Sequence, residues 1–266
     1  MAVWSTSPII STATGTGTAE TADVTFTVPS NAVEIVATRG HVHATNGDPA
    51  ESIAGVFKLK GQDFKWNPYE WLSEIGPAKL GAVDQTGYFT EPRWWKAYLP
   101  VTPSAQLAVS YEPVDALANN GQFKVDISWS SIRTGLAPVQ RLASRETATS
   151  TSTGPSLTLS GAERLVEFCL GVSTSTVAAD DPSNGKLQVV SGGLKDQQLL
   201  ELTFNIHTIE ATSGIALTTL MYDDVDIEFQ SKESATFAST FTVDTVLGTA
   251  GQYWYSLGFI PVKKTI

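Results

Sequence analysis

The 266-residue sequence predicts an all-β fold: two tandem Greek-key jelly-roll β-sandwiches, with a short helix in a connecting loop. Three observations predict it. Apolar and polar residues alternate through many short runs, the period of strands buried on one face. Clusters such as NGDP, NNG, DDPSNG, SGG and TSG separate those runs, and their Gly, Asn and Pro supply the special φ values that turns need. Residues 12–18, TATGTGT, are echoed by residues 147–153, TATSTST, so each half of the chain opens on the same stutter.

The elements follow in order. In the first half the strand runs are DVTFTV (23–28), AVEIVATRGHVHA (32–44), SIAGVFKLKG (52–61), TGYFTEPRWWKAYL (86–99), SAQLAVSYE (104–112) and GQFKVDISWS (121–130). In the second half they are SLTLS (156–160), ERLVEFCLGVSTSTV (163–177), KLQVV (186–190), QLLELTFNIHTI (198–209), IALTTLMYDDVDIEFQ (215–230), ATFASTFTV (235–243) and GQYWYSLGFIPV (251–262). One stretch carries helix signals. In NPYEWLSEIGP, Asn67 suits an N-cap, Pro68 the first helical position and Glu70 the third, while Gly76 and Pro77 stop it. A two-turn helix over 68–75 is expected, with Trp71 and Leu72 packed onto a sheet. A second short helix is expected around 113–119.

The two halves align in order. At a shift of 133, Thr25 meets Thr158, Phe26 meets Leu159, Val33 meets Val166, Glu34 meets Glu167 and Ile35 meets Phe168. Gly121-Gln122-Phe123 matches Gly251-Gln252-Tyr253 at a shift of 130. The drift is what small insertions and deletions make, and it points to a duplicated β unit. The expected division is an arm (1–22), a first jelly roll (23–136), a linker (137–154) and a second jelly roll (155–266). Trp4, Ile9 and Ile10 in the arm suit a clasp on a neighbouring copy.

Composition bounds the function. The net charge of −10 opposes nucleic-acid binding, which is driven by neutralising phosphates, and no direct sequence-specific contact with nucleic acid is expected. Ser and Thr make up about a fifth of the chain and only 17% of residues are charged, a balance that suits strands and turns. Cys169 is the single cysteine, so no internal disulfide forms, and its LVEFCL setting predicts a buried thiol. The opening MAVWSTSPIISTATG has no basic n-region and is not expected to be a secretory signal. No apolar run is long enough for a membrane-spanning helix.

Few residues suggest chemistry. His41 and His43 would share one face of a strand and could reach one metal, but the Glu and third His of a cupin site do not follow. Asp224, Asp226 and Glu228 line one face of a strand, either as a solvated edge or as a weak cation site. In Arg93-Trp94-Trp95, adjacent strand residues face opposite ways, so at most one indole is fully in the core. The other, with Arg93, could serve a subunit contact or a sugar-stacking face. There is no G-x-S-x-G, HExxH, Walker loop or dinucleotide fingerprint. No cofactor is expected.

The paired openings, the paired first strands DVTFTV and PSLTLS, and the paired closing strands GQFKVDISW and GQYWYSLGF carry a resemblance. In architecture the chain resembles the double jelly-roll major capsid proteins of the adenovirus, tectivirus and corticovirus lineage. That resemblance implies a structural coat protein and no catalytic residues. Homotrimers would form pseudo-hexagonal capsomers of an icosahedral shell, because three copies of two similar domains make six similar corners. The implied partners are further copies of the chain, vertex and minor capsid proteins, and an internal lipid membrane. The implied location is the virion, after synthesis in a host cytoplasm. The alternatives are a carbohydrate-binding β-sandwich protein, marked by exposed aromatics beside Asp or Asn, and a phage tail or decoration protein.

Overall fold

The computed structural model describes residues 3–5, 9–13, 19–43, 55–61, 68–72, 94–113, 121–147, 152–160, 163–174, 183–192, 198–206, 217–229, 234–243 and 252–261. The chain is all-β, and its strand pairings are antiparallel. It divides into two compact units, Met1–Arg141 and Leu142–Ile266.

The first unit holds β1 (Val3–Ser5), β2 (Ile9–Ala13), β3 (Val24–Thr27), β4 (Glu34–His43), β5 (Gly55–Lys60), β6 (Tyr69–Leu72), β7 (Trp95–Pro100), β8 (Gln106–Pro113) and β9 (Gly121–Ser130). One sheet runs β1-β9-β4-β7, with β2 also on β9; the other runs β3-β8-β5-β6. The second unit holds β10 (Gln140–Thr147), β11 (Ser152–Ser160), β12 (Glu163–Thr174), β13 (Ser183–Gly192), β14 (Gln198–Ile206), β15 (Leu217–Phe229), β16 (Ser234–Val243) and β17 (Gln252–Pro261). Its sheets run β10-β17-β12-β15 and β11-β16-β13-β14. With β1 and β2 counted as one, both units share an order. The first, eighth, third and sixth strands make one sheet, and the second, seventh, fourth and fifth make the other.

Strict alternation explains the core of the first unit. On β9, Phe123, Val125, Ile127 and Trp129 are all fully buried, and the residues between them face away. On β7 the burial pattern alternates the same way, with Trp95, Ala97 and Leu99 inside. The opposite sheet sends in Phe57, Leu59, Tyr69, Trp71, Leu107, Val109 and Tyr111. Aromatic rings join the two layers: Phe57 stacks on Trp71 at 5.3 Å, meets Tyr111 at 4.9 Å and meets Phe123 edge-on at 5.9 Å. Burying a side chain of this size stabilises by roughly 1.5–3 kcal/mol, and aromatic pairing adds about 0.5–1.5 kcal/mol. Gly40 on β4 is what lets Phe57 approach, because a Cβ there would come within 2.2 Å of its ring.

Two polar devices close one end of this unit. Glu34 is buried, and its carboxylate accepts from the Thr134 amide (2.8 Å) and the Thr134 hydroxyl (3.1 Å). This pins the segment after β9, where Ser130 Oγ also accepts from the Ile132 amide (3.1 Å). At the same end, Ala105 N donates to Thr102 O (3.1 Å) across a turn with Pro103 second and Ser104 third. Ser104 has φ 63°, the left-handed value that a type II turn demands there.

Several expectations are corrected. No helix forms in the described part of 68–75: Tyr69–Leu72 is strand β6. Tyr69 and Trp71 are both buried, which needs a period of two; on a helix they would point to different faces. The expected arm itself carries two strands, which pair with their own chain's β9. The linker also carries strand structure, in β10 and the start of β11. The segment 86–93 of the fourth strand run and the helix expected around 113–119, beyond Pro113, lie outside the described residues.

Candidate functional site

The outer face of the five-stranded sheet holds one constellation of large polar and aromatic groups. Thr38 and Gly40 point inward on β4, so Arg39 between them points outward. Phe123, Val125 and Ile127 point inward on β9, so Lys124 and Asp126 point outward. The ladder sets Arg39 opposite Asp126. Arg39 Nε donates to Asp126 Oδ2 at 2.8 Å, with side-chain exposures of 27% and 6%. The guanidinium carbon also lies 4.5 Å from the centroid of the Trp94 ring. Trp94 stands just before β7 and is part-exposed, while Trp95 is 2% exposed in the core. The adjacent indoles thus split, one in and one out. An arginine fixed by a nearly buried carboxylate and laid on an aromatic ring is held in one orientation before any ligand arrives.

The outer face of the other sheet carries a second cluster. Lys60 Nζ donates to Glu20 Oε1 (2.6 Å) and Asp23 Oδ1 (2.6 Å), and Lys58 Nζ to Glu20 Oε2 (2.9 Å). Lys58 also pairs with Glu112 at 2.5 Å, and Ser110 Oγ donates to Glu20 Oε1 (2.6 Å). Burial pushes the Glu20 carboxyl up, but hydrogen bonds from Lys60, Ser110 and Lys58 and the Lys58 charge outweigh it and hold it at about 2. A carboxylate so firmly ionised is a poor proton donor or acceptor at ordinary pH, since that work needs a pKa near the operating pH. The cluster is a staple. Thr21 continues it, donating from its amide to Tyr111 O (2.8 Å) and accepting from Tyr111 N at its hydroxyl (3.0 Å).

Other residues singled out in the sequence are placed by backbone only. His41 stands opposite Lys124, and His43 opposite Gln122, in the β4–β9 ladder. Glu228 stands opposite Arg164, and Asp224 opposite Glu167, in the β12–β15 ladder; Asp226 lies on the same strand. Trp4 pairs with Trp129, Ile9 with Val125 and Ile10 with Lys124. The side chains of these candidates, the Cys169 thiol and all of Arg93 lie outside the described residues. Sequence reasoning missed Arg39 and Asp126. They lie 87 residues apart, and only the strand register brings them together.

No protein-family model and no curated protein matches the chain. Among solved structures, PNGase F, a glycosylasparaginase from Flavobacterium meningosepticum, matches with a TM-score of 0.43 at 10% identity, over 96% of each chain. PNGF-II matches with a TM-score of 0.40 at 11% identity, over 90% of this chain and 60% of that one. Infectious bursal disease virus Gx strain matches with a TM-score of 0.27 at 12% identity, over all of this chain and 73% of that one. These matches overturn the coat-protein resemblance expected from the sequence. The higher TM-scores are those of PNGase F and PNGF-II, and the virus structure has the lowest of the three. The coat-protein function, with its capsomers and virion, is withdrawn. So is the expectation that the chain is no enzyme, since it leaned on that resemblance. At this identity and these TM-scores, no activity passes from those proteins to this chain.

Proposed function

We propose that the chain is a carbohydrate-binding protein built from two Greek-key jelly-roll domains, and that the outer face of the first domain's five-stranded sheet takes the sugar. The jelly-roll reading is supported by the shared strand order, eight strands in two four-membered sets whose neighbours cross between sheets. The binding reading is carried by one observation: the part-exposed indole of Trp94 beside an Arg39 that Asp126 holds in place. A pyranose ring has an apolar C–H face and a rim of hydroxyls. The part-exposed indole, with Arg39 over one face of its ring, offers flat apolar surface for the first, and an oriented guanidinium and carboxylate offer donors and acceptors for the second. Because both are fixed in the unliganded fold, little side-chain entropy is lost on binding. The charge staple of the other sheet has its groups already committed to one another and is left to stability.

A glycan array probed with the purified full chain tests this. The reading expects a subset of saccharides to bind above background, with binding reduced by Trp94→Ala. An array with no bound saccharide would sink it.

A further inference from the structure

Resting on the carbohydrate reading, we propose that this face takes an unbranched, extended glycan chain rather than a single terminal sugar, seated in a trough that crosses the strands beside Trp94. The register lays the outward residues of the sheet in rows. One row is Trp94, Arg39 and Asp126. Two residues further along β9 stands Ser128, with Ala37 of β4 opposite it on one side and Ser5 of β1 on the other. Lys96 of β7 ends that row, opposite Ala37. Two residues further again, Ser130 stands opposite Glu34. Ile127, Trp129 and Ile35 point inward, so Ser128, Ser130 and Glu34 point outward.

The middle row is low and the rows beside it are tall. Ala37 and Ser128 are small, and both are part-exposed. On one side rises the Trp94 indole with the Arg39 guanidinium laid on it. On the other side the chain leaving β9 turns back over the outer face, because the Glu34 carboxylate accepts from the Thr134 amide and hydroxyl. This is why Glu34 and Ser130 are buried although they point outward. Ser130 Oγ accepts from the Ile132 amide, so the returning loop is tied at two points. Among the described residues, the exposed large hydrophobics are both on this loop, Ile132 and Leu136. Strand geometry sets the size of the trough. Asp126 and Ser130 are four residues apart, roughly 13 Å, which leaves the width of one sugar ring over Ser128 between the flanking side chains. From β7 to β1 the middle row crosses three interstrand gaps, roughly 14 Å, about the length of three sugar units. A ring seated there would lay C–H groups on Ala37 and meet the Ser128 hydroxyl with one of its own. A straight trough fits a straight chain, such as a β-1,4-linked glycan with equatorial bonds, whereas an α-1,4-linked chain curls out of it.

The test is a calorimetric titration of the full chain with cellotetraose, xylotetraose and mannotetraose, each beside its own monosaccharide, and with maltotetraose. At least one of the three straight tetrasaccharides should bind ten-fold or more tighter than its monosaccharide and than maltotetraose. Ala37→Leu, which raises the floor of the trough, should weaken that binding at least ten-fold, and Ser128→Ala should weaken it several-fold. Thermal denaturation shows whether the variants are folded. The length comparison needs no variant, so it decides the matter even where Ala37→Leu does not fold. Equal affinity for tetrasaccharide and monosaccharide, equal affinity for maltotetraose, or full affinity in a folded Ala37→Leu chain overturns the inference and leaves carbohydrate binding standing. So does failure of all three straight chains to bind when other saccharides bind on the array. No binding by any of these sugars, together with a blank glycan array, removes both.

Discussion

Glu34 and Glu167 lie 133 residues apart and are both buried carboxylates on the third strand of their respective units. Each sits where its strand is flanked by the closing strand of the unit on one side: Glu34 pairs with Ser130 on β9 and Glu167 with Gly258 on β17. Each also stands close to a register shift in its ladder. Burying a charge is costly unless donors meet it. Glu34 meets Thr134, so the carboxylate works as an anchor for the chain leaving β9. Thr134→Val, which removes the hydroxyl and keeps the amide, should cost about 1 kcal/mol. Glu34→Ala, which strips both bonds, should cost about 2–3 kcal/mol. Urea unfolding of the two variants checks this, and equal costs would deny the amide its share.

Gly40 should tolerate no side chain. A Cβ there would meet the Phe57 ring at 2.2 Å, and Phe57 is fully buried between Trp71, Tyr111 and Phe123. Gly40→Ala should lower stability by about 1–3 kcal/mol through overpacking. Thermal denaturation measures it. In a Phe57→Leu background the penalty of the same substitution should shrink, because the ring it strikes is gone.

Ser104→Gly should have the opposite sign. Ser104 is exposed and held at φ 63°, a conformation that costs a residue with a Cβ roughly 1–2 kcal/mol and glycine almost nothing. Glycine's larger unfolded-state entropy offsets part of that gain. A net rise of about 0.5 kcal/mol is expected in denaturant unfolding.

The Glu20 staple should make stability depend on acid. Its carboxyl is lowered from 4.5 to about 2 in the folded chain. A carboxyl lowered by folding contributes stability fully present above its unfolded value and lost as pH falls through its folded value. The loss attributable to Glu20 therefore falls between about pH 4.5 and 2. Glu20→Gln should cost about 1 kcal/mol at neutral pH, in keeping with a partly exposed network. The difference from the parent should vanish near pH 2. A difference that persists there would place the effect in packing rather than charge.

Much of the fold was legible because alternation is strict where one face is buried. The bounds of β9 coincide with the run GQFKVDISWS, since every second residue from Phe123 to Trp129 is apolar. The matching of Glu34 with Glu167 also emerges from the sequence and recurs as a shared place in the strand order. Strand β6 was not legible. Its four residues are too few to show a period, and the flanking Asn67 and Pro68 imitate a helix start. Its state is set by distant partners, through Trp71 stacked on Phe57 and the Tyr69 hydroxyl donating to Lys96 O (2.7 Å). Strands β1 and β2 read as an arm for the same reason, because β9 supplies their pairing. At the candidate site, the sequence shows that one of Trp94 and Trp95 must face outward. It cannot show that Arg39 covers the outward one, because that depends on the register between β4 and β9.

The central claim is that Trp94, steadied by Arg39, is a sugar-binding surface. Calorimetric titration of the Trp94→Ala chain with the best-bound array glycan tests it most directly, with thermal denaturation confirming that the variant is folded. The account predicts affinity at least ten-fold weaker, a loss of about 1.4 kcal/mol or more. Unchanged affinity in a folded Trp94→Ala chain would contradict it and move the binding site off this face.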